Sequence, residues 1–168
     1  MKRKYTKIEW LKKVVEAIEK VGNNEPFLGI WLISDVIEFV GSCIAPPSVA
    51  KKRDEFEYAI KNLDAFKGCR NFKDLYRDLR CGLTHDMNPS GGLKLKRTGD
   101  IDPKQNEISY IQLLADLKSS LSEIDQLMGS DPQFKSAMEA IYAEVESDEI
   151  TGNPLTGSTV AINITFQS

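Results

Sequence analysis

The stretch FLGIWLISDVIEFVGSCI, residues 27 to 44, constrains this chain more than any other. It is the most apolar run in the sequence, yet Asp35 and Glu38 sit in its middle. Two carboxylates at that depth would be expensive in lipid but are tolerable beside a water-facing groove. The run is therefore expected to be a buried helix of a soluble protein, with Pro26 in its first turn and APPS at 45 to 48 stopping it.

Other helices are expected to pack against it. Residues 7 to 21 place Ile8, Leu11, Val14, Val15, Ile18 and Val21 at three- and four-residue steps, the stripe of a first helix that GNN ends. Ser48 is a candidate N-cap for a third helix, with Val49, Phe56, Ile60, Leu63 and Phe66 inside, Lys51, Lys52 and Arg53 outside, and Gly68 at its end. Asn71 reads as the cap of a fourth helix, with Asp74 in its first turn where the dipole favours a carboxylate. Leu114, Leu117, Leu121, Ile124 and Leu127 mark a fifth. Asp131-Pro132 opens a sixth that runs through Phe134, Met138, Ile141, Tyr142 and Val145.

Between the fourth and fifth helices the period changes from helical to alternating. Leu93 and Leu95 alternate with Lys94 and Lys96, and Ile108 and Tyr110 flank Ser109, which predicts a small β-hairpin joined by TGDIDPKQN. Asp100 and Asp102 in that loop resemble half of a calcium loop, but the third oxygen ligand and the glycine are missing, so no metal or cofactor is expected. Val160, Ile162, Ile164 and Phe166 alternate with polar residues and predict a terminal strand, which could join the hairpin or pair with a second subunit. The expectation is one mostly α domain over residues 1–168: a helical core at 1–90, the hairpin at 91–112, packing helices at 113–147 and a tail with the terminal strand at 148–168.

Composition removes several alternatives. With 41% hydrophobic and 28% charged residues the chain is globular in balance. The start, MKRKYTKIEW, has the charge of a signal peptide, but LKKVVEAIEK keeps inserting charges where an apolar stretch is required. Cys43, Cys69 and Cys81 show no C-x-x-C spacing, so reduced thiols in the cytoplasm are expected, and the acceptor Asn163-Ile164-Thr165 reads as chance. Net charge is −3, unevenly spread: Lys and Arg minus Asp and Glu give 7 − 6 = +1 for residues 1–50, 12 − 7 = +5 for 51–97 and 3 − 12 = −9 for 98–168. The basic middle suits an anionic partner, although the acidic end could equally neutralise it within the fold or across a dimer.

The candidate chemistry lies in YRDLRCGLTHD, residues 76 to 86, which holds the only histidine of the chain. At about 100° per residue, Phe72, Leu75, Tyr76, Leu79 and Leu83 fall on one side of the fourth helix. Arg77, Cys81, Thr84 and His85 fall on the other, with Arg80 on the flank. Gly82 would let another helix or a substrate backbone come close. The plain alternative is that Arg77, Arg80 and His85 complement the carbonyls of a helix end, worth about 0.3 to 1 kcal/mol.

NFKDLYRDLRCGLTHDMNPSGGL, residues 71 to 93, following a run of helices, resembles the signature region of HEPN-type helical domains, whose hallmark is an arginine, four to six residues and then a histidine near the end of a late helix. Arg80, CGLT and His85 fit that pattern. Active members often carry Asn or Asp directly after the arginine, where this chain has Cys81. The resemblance implies metal-independent RNA cleavage by attack of a ribose 2′-hydroxyl on the adjacent phosphate. Arg80 would bind the phosphate and His85 would transfer the proton, since a histidine side chain ordinarily titrates near neutrality. Two such helices commonly meet across a dimer, so a homodimer is expected with residues 77 to 85 of both copies around one cleft. Arg77 is a candidate auxiliary phosphate contact or a partner of Asp74 or Asp78; Thr84 and Asn88 could support the site or serve as cap and turn residues. Such an enzyme could be the toxic part of a bacterial defence or toxin-antitoxin pair, with an antitoxin-type protein as partner. The rival readings are a non-catalytic module that binds nucleotides, RNA or a protein partner, and an interaction domain whose terminal strand docks a neighbour.

Overall fold

A computed structural model describes residues 2–49, 51–146 and 164–166. Among these the chain is mostly helical, with two small sheets. Strand β1 (Lys2–Thr6) leads directly into α1 (Lys7–Gly22), because Thr6 and Glu9 form a reciprocal capping box: the Thr6 hydroxyl accepts the Glu9 N–H and the Glu9 carboxylate accepts the Thr6 N–H. The apolar run forms α2 (Pro26–Ile44), with Pro26 at its start. Helix α3 (Lys52–Asn62) follows, then a 3-10 segment (Asp64–Cys69) and a π-helical segment (Tyr76–Asp86). Strands β2 (Lys94–Lys96) and β3 (Glu107–Ser109) precede the long α4 (Tyr110–Ser130), the short α5 (Pro132–Met138), β4 (Ile141–Glu146) and β5 (Ile164–Phe166).

Helix α2 is the axis of the core. Its Ile30, Ile33, Ile37 and Val40 are fully covered by α1, α3, α4 and the π segment. Each such side chain contributes about 1.5 to 3 kcal/mol relative to exposure. Against α3 the backbones nearly touch: a Cβ at Gly41 would lie 1.8 Å from the Glu55 carbonyl oxygen, so no larger residue fits. That close approach fixes how α3, and the π segment after it, sit beside Asp35 and Glu38. Helix α2 is long and apolar enough to cross a membrane by length and composition, but half of its apolar window is buried inside the fold.

Several sequence expectations change. Helix α3 starts at Lys52 without a Ser48 cap, because Pro46 and Val49 close a turn (Val49 N–H to Pro46 O, 2.9 Å). It ends at Asn62, before Gly68, where Leu63 is extended and the Glu123 carboxylate of α4 accepts the N–H groups of Asp64 and Ala65 at 2.8 and 2.6 Å. Val21 and Leu127, expected on apolar stripes, are exposed. The sixth helix stops at Met138, and Ile141, Tyr142 and Val145 belong to strand β4 instead. Their three- and four-residue spacing suits a helix, but these are β-branched and aromatic residues. The backbone of β1 needs a partner, which β4 supplies antiparallel from Lys2↔Glu146 to Thr6↔Ile141.

The expected pair of short strands is present, with Lys94, Leu95 and Lys96 opposite Glu107, Ile108 and Ser109. They run parallel, because the connection turns back at Asp102 and Glu107 before pairing. Tyr110, expected in the second strand, is the buried first residue of α4, which Ser109 caps. Strand β5 joins β4, in the order β1-β4-β5, and not the 94–109 pair. The expected strand residues Val160 and Ile162, and most of the 148–168 tail, lie outside the described residues.

Candidate functional site

Asp74 opens the site's helix, its carboxylate accepting the Arg77 N–H at 3.2 Å; Asn71, the expected cap, lies in a turn before it. From Tyr76 the backbone bonds in the i→i+5 pattern of a π-helix, a form often found at functional sites. In an α-helix, residues five apart point about 140° away from each other. The i→i+5 register narrows that angle, so Arg80 and His85, five apart, are nearer in direction than an α-helix would leave them, as are Tyr76 and Cys81. The segment ends at Met87 in the left-handed region (φ 51°, ψ 26°), whose N–H reaches the Gly82 carbonyl.

Gly82 has a different role from the one expected. A Cβ there would meet Asn88 O at 2.7 Å and Ser90 N at 2.9 Å, so the chain's own 88–90 loop occupies the space kept open for a partner or substrate. Ser90 ties that loop down, its N–H donating to the Asp78 carbonyl at 2.9 Å and its hydroxyl to the Asp78 carboxylate at 3.1 Å. Arg77 faces the same loop. Its Nε donates to Asp78 Oδ1 at 2.7 Å, with Asp74 3.9 Å from Nη1. The ion-pair alternative for Arg77 is thus realised with both acids.

Arg80 turns the other way, onto α2. Its Nε donates to Glu38 Oε2 at 2.9 Å, and Asp35 Oδ1 lies 3.3 Å from the same nitrogen without hydrogen-bond geometry. Nη1 donates to the Thr84 hydroxyl at 2.5 Å, one helical turn on. The guanidinium is held from behind, its side chain 19% exposed, and none of these contacts uses Nη2. Glu38 is 6% exposed and also faces Lys52 Nζ at 3.4 Å. Burial works against the Arg80 charge, but Asp35 and Glu38 outweigh it and raise the pKa. Asp35 moves up as well: burial dominates, Glu38 adds to it and Arg80 opposes it.

His85 is exposed and has no side-chain partner among the described residues. The Thr84 hydroxyl accepts a hydrogen bond from Arg80, whereas Asn88 is an exposed loop residue whose N–H donates to Gly82 O. Cys81 is half-buried beside Tyr76, whose phenol is pushed up by burial, Cys81 and Glu38, against Arg80. The motif alone does not reveal Asp35, Glu38, Lys52 and Tyr76. The one signal for the two acids was their presence inside an otherwise apolar run. Asp102, considered for calcium, spends its carboxylate on the N–H groups of Lys104 and Gln105.

No protein-family model, curated protein or solved structure matches this chain.

Proposed function

We propose that the chain is a HEPN-like, metal-independent endoribonuclease of toxin type, working in the cytoplasm as a homodimer around an Arg80/His85 cleft. The observation that supports this best is an exposed imidazole five residues after a braced guanidinium on one π-helical segment. Arg80 would neutralise charge building on the phosphate oxygens through its outer nitrogen, with Glu38 and Thr84 fixing its plane. His85 would accept the proton of the attacking 2′-hydroxyl or deliver one to the leaving 5′-oxygen. One imidazole serves only one of those transfers at a time, so the second copy's histidine completes the pair. Arg77 could reach a neighbouring phosphate only by leaving Asp78, and a protein antitoxin could silence the cleft by covering it.

A second reading, a module that binds RNA or nucleotides without cutting, is favoured by the two carboxylates on Arg80. They already compensate much of its charge, which weakens its pull on a transition state. Incubation with structured RNA in chelator separates the readings. Cleavage that falls by about 10²-fold or more in both His85→Ala and Arg80→Lys supports the enzyme. Binding without cutting by all three proteins supports the module. A stable monomer in dilute and concentrated solution would remove the composite cleft.

A further inference from the structure

Between α3, the 3-10 segment and the start of the π segment lies a cavity of ≈ 240 Å³. Counting about 30 Å³ per water, it has room for a single flat ring system and little more. Its walls include Phe72, Tyr76, Leu75 and Ile60. Tyr76 is held by Phe56, ring centroids 5.5 Å apart and edge-on, so the wall is preformed. The rim is positive. Lys61, Arg70 and Lys73 line it against Glu57 and Asp74. Glu57 pairs with Arg53 and Lys61, Asp74 with Arg53, and Arg70 with Asp64 outside the cavity, which leaves Lys73 as the open cation of the rim. Arg70 is anchored by its Nε to Ile60 O and its Nη2 to Leu63 O, while Lys73 has no partner among the described residues. Cys69, at the cavity's inner side, has its thiol pushed up to about 12 by burial, so the cavity holds no reactive thiolate.

Its position gives the cavity a meaning. Tyr76, one wall of the cavity, lies close enough to Arg80 for each to act on the other's charge, so the guanidinium is a neighbour of the cavity's aromatic wall. Aromatic walls stack any base, and a cationic rim suits the phosphate that follows it. We propose that this cavity takes a nucleobase whose phosphate lies on Arg80, an inference that rests on the phosphodiester reading above. The base is carried by an RNA strand or by a free mononucleotide.

Calorimetric titration of the full chain with adenosine, adenosine 3′-monophosphate, inorganic phosphate and a short oligoadenylate tests it. Loss of one stacking wall in Phe72→Ala is expected to weaken adenosine about tenfold. Arg80→Lys should leave adenosine within twofold and remove the affinity that the phosphate adds. Lys73→Glu, an exposed change that spares the core, should weaken the monophosphate several-fold and not the nucleoside. Thermal unfolding of each variant checks that it is folded. Adenosine that does not bind, or binds folded Phe72→Ala as well as the parent, overturns the cavity assignment even if phosphate or RNA binding still depends on Arg80. Adenosine binding through Phe72 with no phosphate increment from Arg80 keeps the cavity and removes the phosphodiester reading. An oligoadenylate at least tenfold tighter than the monophosphate assigns the cavity to a strand; equal affinities assign it to a free nucleotide.

Discussion

Glu38 is the residue on which the site's geometry turns. It is almost fully buried, and it holds the Arg80 Nε directly while facing Lys52. Removing one partner of a buried pair leaves the other charge uncompensated, at about 3 to 5 kcal/mol where nothing else can reach it. Asp35 and Thr84 still touch Arg80, so Glu38→Ala is expected to cost nearer 3 kcal/mol by urea unfolding, and Glu38→Gln distinctly less. Asp35 behaves in the opposite sense. Its folded pKa lies above its ordinary value of 3.8, so the folded state holds that proton more tightly than the unfolded chain does. The contribution is thus fully present below pH 3.8 and is lost as pH rises through the raised value. Asp35→Asn should match the parent at pH 3 and exceed it in stability at pH 7. The gain should stay below about 1 kcal/mol, because the side chain is 43% exposed. A larger benefit at low pH than at neutral pH would contradict the burial argument.

At the scale of elements, the π segment ends in strain. Met87 ends it in the left-handed region, 64% exposed, where a side chain costs roughly 1 kcal/mol and glycine costs nothing. Met87→Gly is therefore expected to raise the thermal midpoint by a few degrees; a fall would mean that the methionine side chain supplies contacts that outweigh the strain. The segment also marks how far the sequence could be read. Helices α1, α2 and α4 were legible because Leu11, Val15 and Ile18, or Leu114, Leu117 and Ile124, keep a helical period over several turns. The inner face of residues 72 to 83 was legible for the same reason. A wheel of 3.6 residues could not show the i→i+5 register of residues 76 to 86, since π bonding leaves no mark on the apolar pattern, nor that the 88–90 loop packs on Gly82. Strand β1 was hidden because KRKYT has a single aromatic among charges, and β4 because its residues also satisfy a helical spacing.

At the scale of the whole molecule, the acidic last third is partly consumed by the fold. Asp125 meets Lys12, Glu144 meets Lys4, and Glu107 meets both Lys94 and Lys96. Glu123 does more, since two backbone N–H groups at the start of the 3-10 segment depend on it. Glu123→Ala should cost about 2 kcal/mol, whereas Asp125→Ala, on an exposed pair, should stay within about 1 kcal/mol of the parent. The same pairing limits what remains for a nucleic acid. Arg53 and Arg77 are each bonded to carboxylates, and Lys94 and Lys96 share Glu107, so few cations of the basic middle are left to displace counterions from a phosphate backbone. For single strands each neutralised phosphate contributes about −0.7 to the slope of log affinity against log salt. With Arg80 and Lys73 as the main contacts, RNA binding is expected to show a slope near −1.5 per subunit. Equilibrium titrations across a range of salt concentrations measure it directly. A slope steeper than about −4 would mean that binding opens the internal ion pairs and recruits the whole basic middle. In that case Glu107→Gln, which frees Lys94 and Lys96, should tighten RNA binding further, and under the shallow slope it should leave binding almost unchanged.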